Sequence, residues 1–193
     1  MAGRYKTFGE ASVLSKALDL FWQKGYSATS TDELLEAMQL NRGSLYHAFG
    51  SKRGVYERAT EIYVRRSLAE LRAFLCAGPD PAAAIRALFR DLAHHTNPGD
   101  VQRGCYFGNA LAELSITDPG LQGVAARALR AIEEVFAEAV GRAQQAGTLA
   151  TTVPTEHLAR HLITLWNGLY LTRRLHPGQE LTPAIELGLS VLS

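Results

Sequence analysis

The stretch that most limits what this chain can fold into runs from Thr29 to Lys52, TSTDELLEAMQLNRGSLYHAFGSK. It reads as two short helices joined by a tight turn. Thr29 is a suitable N-cap, and Asp32 three residues later resembles a capping box. Leu34, Leu35 and Met38 give the first helix an apolar side. The chain must turn at Gln39, Leu40 is apolar, and Asn41 caps a second helix over Arg42 to Phe49. Leu45 and Phe49 stand four residues apart and face inward together. Arg42, Ser44, Tyr46 and His47 are left to face out. A short, donor-rich helix laid across a first helix is what a DNA major groove admits.

These residues carry a resemblance. Gly25-Tyr26, Thr29-Ser30, Asp32-Glu33-Leu34, Leu40-Asn41-Arg42-Gly43-Ser44-Leu45-Tyr46, Phe49 and Ser51-Lys52 resemble the DNA-binding head of tetracycline-repressor-type (TetR/AcrR) transcriptional regulators, over about residues 9–55. Two positions depart from the family pattern. The turn usually holds Gly, where this chain has Gln39; a left-handed non-Gly residue there costs roughly 1–2 kcal/mol. The place before the aromatic preceding Gly50 often holds His or Tyr; here it is Ala48, with His47 one residue earlier. The resemblance implies that Arg42, Ser44 and His47 face bases, that Tyr46 and Lys52 meet phosphates, and that Thr29 caps its helix and touches the DNA backbone. The chemistry agrees, since Arg suits guanine O6/N7 and a hydroxyl or helix N-terminus suits phosphate. Gly43 lets the backbone approach closely.

The rest of the chain reads as further helices, so the expected class is all-α, with a three-helix head over residues 1–50 and a helical effector-binding and dimerisation body over 51–193. Residues 1–8 read as a loose arm carrying Arg4 and Lys6. Leu14, Ala17, Leu18 and Phe21 recur at helical spacing in a helix that Gly25 stops. Ser51 caps a long helix from Lys52 to about Cys76. Gly78-Pro79-Asp80-Pro81 breaks the chain before a helix from Ala82 to about His95, and Asn97-Pro98-Gly99-Asp100 breaks it again. Gly104 to Ile116 is helical, and its GCYFGNALAEL run is similar to a segment lining the ligand cavity in one branch of the family. Asp118-Pro119-Gly120 opens the longest helix, which Gly147 stops, and Pro154-Thr155 opens another that ends at His176-Pro177-Gly178. Residues 182–192 form a closing helix.

Composition limits the function classes. The 193 residues are 47% hydrophobic, enough for a core, with a net charge of only +1. Residues 1–58 carry eight Lys/Arg against six Asp/Glu, a bias of +2 that permits phosphate binding without demanding it. Cys76 and Cys105 make no disulfide framework. MAGRYKTFGE lacks the apolar core of a signal peptide, and no apolar run approaches the ~20 residues of a membrane span, so no membrane association and a cytoplasmic location are expected.

The expected partners are an operator in double-stranded DNA, a second copy of the chain and a small-molecule effector. Candidates for the effector pocket are Phe89, His94, His95, Cys105, Tyr106, Asn109, Trp166, Asn167 and Tyr170, large aromatics beside a few polar groups. Asn109 and Asn167 stand out because a buried amide needs a partner. The dimer is expected between the two longest body helices, through Ala128, Ile132, Val135, Ala139, Leu158, Leu162, Leu165 and Leu169. His157 and His161 share a helix face, but no further ligand completes a metal site, and no cofactor is expected. No nucleophile–base set or phosphate loop points to an enzyme. The expected function is a ligand-responsive regulator, a repressor released from a palindromic operator. The alternative is a thiol-based redox or electrophile sensor acting through Cys105.

Overall fold

The computed structural model describes residues 9–94, 97–176 and 181–192. Arg4, Lys6, His95, Pro177 and Gly178 lie outside the described residues. All regular structure among the described residues is helical: α1 (Glu10–Lys24), α2 (Thr31–Met38), α3 (Arg42–Phe49), α4 (Lys52–Cys76), α5 (Pro81–His94), α6 (Pro98–Arg103), α7 (Tyr106–Thr117), α8 (Pro119–Gln145), α9 (Thr155–Leu175) and α10 (Thr182–Leu189), with a 3-10 turn at Ser190–Leu192. No helix among them is long and apolar enough to cross a membrane.

The caps follow from short polar side chains at the helix starts. Ser51 Oγ accepts from the Gly54 N–H, Asp80 Oδ1 from the Ala83 N–H and Asp118 Oδ1 from the Leu121 N–H. At α2 the structure corrects the sequence reading. The N-cap is Ser30, not Thr29, and the reciprocal partner is Glu33, not Asp32. Three hydroxyl residues in a row leave the frame open. It is set because Glu reaches the cap N–H better than Asp, while Thr29 is buried and donates its hydroxyl backward to the Gly25 carbonyl. The second correction is α6. Asn97-Pro98, read as a break, is also a helix start: Asn97 Oδ1 accepts from the Gly99 N–H, and Pro needs no N–H at the first helical position.

The chain divides into two compact units, Met1–Arg66 with Ala110–Val124, and Ser67–Asn109 with Ala125–Ser193. The first is built on Val13, Leu14, Ala17, Leu18 and Phe21, one face of α1, which are buried with Leu34, Met38, Leu45, Val55, Tyr56 and Leu114. Phe21 and Tyr26 both set ring edges against Tyr56, at 5.2 and 5.0 Å. The second unit buries Ile85 and Phe89 of α5, the stripe Ala125, Ala128, Leu129, Ile132, Val135, Phe136, Ala139 and Ala143 of α8, and Leu158, Leu162 and Leu169 of α9.

Candidate nucleic-acid interface and effector site

The head is organised by the turn between α2 and α3. Gln39 adopts the left-handed conformation, φ 56°, ψ 42°, and its N–H returns to the end of α2. Asn41 then caps α3 by accepting from the Ser44 N–H at 2.8 Å. Leu45 is fully buried beneath α3, which fixes the rotation of the helix. Arg42, Gly43, Tyr46 and His47 are exposed and Ser44 is half-buried. Arg42 is held by Asp32 at 2.5 Å. An exposed pair of this kind contributes ~0–1 kcal/mol, so Asp32 orients the guanidinium yet yields to a better acceptor. Lys52 lies 4.4 Å above the Tyr26 ring. Burial lowers its pKa, and the nearby Glu113 and Glu33 carboxylates oppose that shift.

Several residues that hold the head carry no sequence signal. Glu113 of α7 accepts from the Tyr26 N–H at 3.1 Å and the Ser27 N–H at 2.7 Å. Gly25 is therefore required twice: it has φ +84°, and a Cβ there would stand 2.6 Å from Glu113 Oε2. Gly54 is closer still, since a Cβ would meet the Phe49 carbonyl oxygen at 1.9 Å. Arg53 bridges Glu57 and Asp118, each at 3.0 Å. Apart from the i,i+4 pair of Arg53 and Glu57, these contacts join residues 65 to 87 positions apart, or depend on a missing Cβ, so no local pattern announces them.

In the second unit, Phe89, Phe136, Trp166 and Tyr170 form one aromatic cluster. Phe89 stacks on Phe136 at 5.8 Å, Trp166 sets an edge against Phe136 at 6.0 Å and Phe89 at 6.3 Å, and Tyr170 meets Trp166 at 5.2 Å. Phe136 is not a candidate on sequence grounds, because its place on the α8 stripe looks like plain core. Cys105 is buried, and its Sγ accepts from the Gly108 N–H at 3.4 Å. Burial pushes the thiol pKa up, against smaller opposing pulls from that N–H and from Trp166. Two buried polar atoms here, Trp166 Nε1 and Asn167 Oδ1, have no hydrogen-bond partner within the protein.

Other candidates are placed differently. Asn109 does not offer its amide to a ligand: Nδ2 donates to the Arg103 carbonyl at 2.7 Å, and Oδ1 accepts from Arg174 Nη2 at 3.0 Å. The same Arg174 nitrogen reaches the Arg103 carbonyl at 2.8 Å, so Asn109 serves to tie off α6. His94 is exposed at the end of α5, with Nε2 3.3 Å from Thr182 Oγ1, and Tyr106 is buried against Phe107. His161 spends Nε2 on the Gly188 carbonyl at 2.6 Å, and no cluster of metal-binding side chains occurs among the described residues. The expected dimer residues Ala128, Ile132, Val135, Ala139, Leu158, Leu162 and Leu169 are buried within one copy of the chain, and Leu165 packs against Gly188. They are spent on the core, and on α9 further apolar side chains remain outside it. The apolar side chains left exposed on α9 and α10 are Leu171 (61%), Leu175 (70%), Leu187 (77%) and Val191 of the closing turn.

With this geometry in view, the comparisons with known proteins decide the family. Residues 13–59 match the model of bacterial regulatory proteins of the tetR family, and residues 81–184 match the tetracyclin repressor-like C-terminal domain. The chain belongs to the TetR family. It is 30% identical to the uncharacterized HTH-type transcriptional regulator YezE of Bacillus subtilis over 83% of each chain. It is 29% identical to the HTH-type transcriptional repressor ComR of Escherichia coli, over 89% of this chain and 82% of that one. A cysteine mutant of the TetR-family regulator CifR, solved in complex with 26-bp double-strand operator DNA, superposes with a TM-score of 0.85 at 26% identity, covering 98% of this chain and 100% of the other. The TetR-family chain described here is a helix-turn-helix DNA-binding transcriptional regulator and not an enzyme.

Proposed function

We propose that this regulator is a homodimeric repressor that leaves a palindromic operator when a small molecule enters the body. The observation that carries the reading is the course of α7. One continuous helix holds Gly108, next to the orphaned Asn167 oxygen, and Glu113, which accepts both N–H groups of the turn after α1. α7 is the covalent path along which an effector at one end acts on the other. Release requires that the effector bind the DNA-free conformation better than the DNA-bound one. Arg42, Ser44 and His47 read bases, and Tyr46 and Lys52 meet phosphates. Thr29, buried with its hydroxyl committed, gives way to Ser30 at the helix start.

Dimerisation is assigned to the second copy's equivalent of the exposed α9–α10 face. Thr164, Gly168, Leu171 and Leu175 fall on one stripe of α9 at spacings of four and three, all exposed. Exposed apolar side chains grouped on one face mark an interaction site, and an isologous contact relates the two heads by a two-fold axis. That the relative ComR is named a repressor supports the direction of control.

In-vitro transcription from a promoter bearing the bound site tests the reading. The protein lowers transcript yield, and a protein-free small-molecule filtrate of the source cells restores it. A rise in transcript on adding protein, or repression that no filtrate relieves, contradicts it. Thiol sensing has less support, because burial of Cys105 disfavours the thiolate that would react. Cys105→Ser therefore leaves filtrate-driven release intact within about tenfold, or ~1.4 kcal/mol. Release by a quinone in the wild type and not in Cys105→Ser would reverse that order.

A further inference from the structure

The orphaned pair in the aromatic cluster is one donor and one acceptor. The Trp166 N–H has only the Cys105 sulfur, a weak acceptor, beside it, and Asn167 Oδ1 accepts nothing. Buried polar atoms are almost always satisfied. A carboxylate has no hydrogen to give Asn167, and an ammonium has no lone pair to accept from Trp166. A neutral hydroxyl does both with one oxygen. The Trp166 ring that carries the donor is in contact with Phe89, Phe136 and Tyr170, aromatic neighbours that favour a flat apolar body behind that hydroxyl.

Gly108 sits where that oxygen would arrive. Its backbone is ordinary helix, not one of the left-handed glycines, so the chain geometry does not demand it. Glycine inside a helix is less favourable than alanine. A Cβ at this position would lie 3.5 Å from Asn167 Oδ1, 3.5 Å from Cys105 Cβ and 3.8 Å from Cys105 Sγ, all ordinary van der Waals contacts. Alanine would therefore fit and would strengthen α7. What glycine provides is a notch one methyl deep, opening between the thiol and the amide oxygen.

We infer that this notch takes the hydroxyl of a neutral, phenol-class effector, which donates to Asn167 Oδ1 and accepts from Trp166 Nε1–H while its ring packs on Phe89 and Phe136. This rests on the ligand-released reading above and names its ligand class.

Three probes that share one tolyl group test it by calorimetric titration of the full-length protein: 4-methylphenol, toluene and 4-methylbenzoate. 4-Methylphenol binds at least tenfold more tightly than toluene, and 4-methylbenzoate does not compete. Gly108→Ala raises the melting temperature without probe and weakens 4-methylphenol at least tenfold. Asn167→Leu and Trp166→Phe each bring 4-methylphenol down toward toluene. Toluene binding as tightly as 4-methylphenol overturns the polar recognition, tightest binding by 4-methylbenzoate overturns the neutral class, and no binding by any of the three overturns the site. A Gly108→Ala variant that melts lower shows that the notch is already filled by protein and also overturns the inference. None of these results depends on the transcription assay with the cell filtrate, which judges ligand-released repression separately.

Discussion

In the head, Arg42, Tyr46 and His47 stand exposed on α3 over a single buried anchor, Leu45. In the body, Cys105 and Phe89 are buried, and the polar atoms of Trp166 and Asn167 are closed off from solvent. The two regions solve different problems. A groove-reading helix needs its donors outside, free to exchange a weak intramolecular partner such as Asp32 for a base. An effector site needs its polar atoms inside, where leaving them unpaired costs ~1–3 kcal/mol each and a matching ligand recovers that cost. Substitutions should therefore behave differently in the two regions. On α3 they change affinity for DNA with little change in stability, while at buried positions of the body they change both.

The largest effect should come from the exposed apolar face that the body leaves uncovered. Leu171→Glu puts a charge on a surface residue, so folding survives while the dimer does not. Sedimentation should show a monomer, and operator affinity should fall about 10²-fold or more with loss of bivalent binding. By contrast, Ile132→Asp buries an unpaired charge, costs several kcal/mol and should unfold the chain rather than merely separate two copies. A Leu171→Glu variant that remains dimeric would show that the interface lies elsewhere.

Within the head, Arg42→Ala should cost about 1–3 kcal/mol of operator binding and relax one base position, whereas Lys52→Ala should weaken all sequences evenly and lower the salt slope by about 1. Competition binding against single-base operator variants at several salt concentrations separates the two roles. Equal loss of specificity in both variants would show that the division between base and phosphate contacts is wrong.

Smaller effects test the turn and the cap. Gln39→Gly removes a left-handed side chain and should stabilise the fold by about 1 kcal/mol in a denaturant melt, with helix content unchanged. Bonds from Lys24 and then from the Ser30 N–H and hydroxyl hold the Glu33 pKa down to about 2, from an ordinary 4.5. Because the folded pKa is depressed, this contribution to stability is complete above about pH 4.5 and disappears as pH falls through about 2. Ser30→Ala removes the hydroxyl bond and the reciprocal cap that holds the carboxylate in place, so the Glu33 carboxyl should titrate at higher pH by NMR. Thr29→Ala should leave that titration in place, because Thr29 bonds to the Gly25 carbonyl and not to the cap.

Local chemistry makes the head legible in the sequence. Asn41 as a cap, Leu45 as the inward anchor, Gly25 as a stop and the unusual Gln39 all act within a few residues of themselves. The Thr29/Ser30 frame is the exception, since three adjacent hydroxyl residues offer similar caps and the choice falls to the reach of Glu33 and the burial of Thr29. The body is legible as helices and much less as sites. Asn109 and Asn167 look alike in sequence, yet Arg174 and the Arg103 carbonyl satisfy the first and leave the second aside. The α8 and α9 stripes look like an interface and prove to be core, because periodicity reveals that a face is buried but not what buries it. Glu113 is invisible in sequence, since its partners lie 86 and 87 residues away.

The proposed arrangement of two identical α3 helices on one DNA is most directly tested by selecting bound fragments from a random double-stranded pool with the full-length protein and sequencing them. Two inverted copies of one half-site at a single fixed spacing are expected, with no enrichment by Leu171→Glu at the same concentration. Enrichment of a single unrepeated half-site, or of the same palindrome by the monomeric variant, would contradict it.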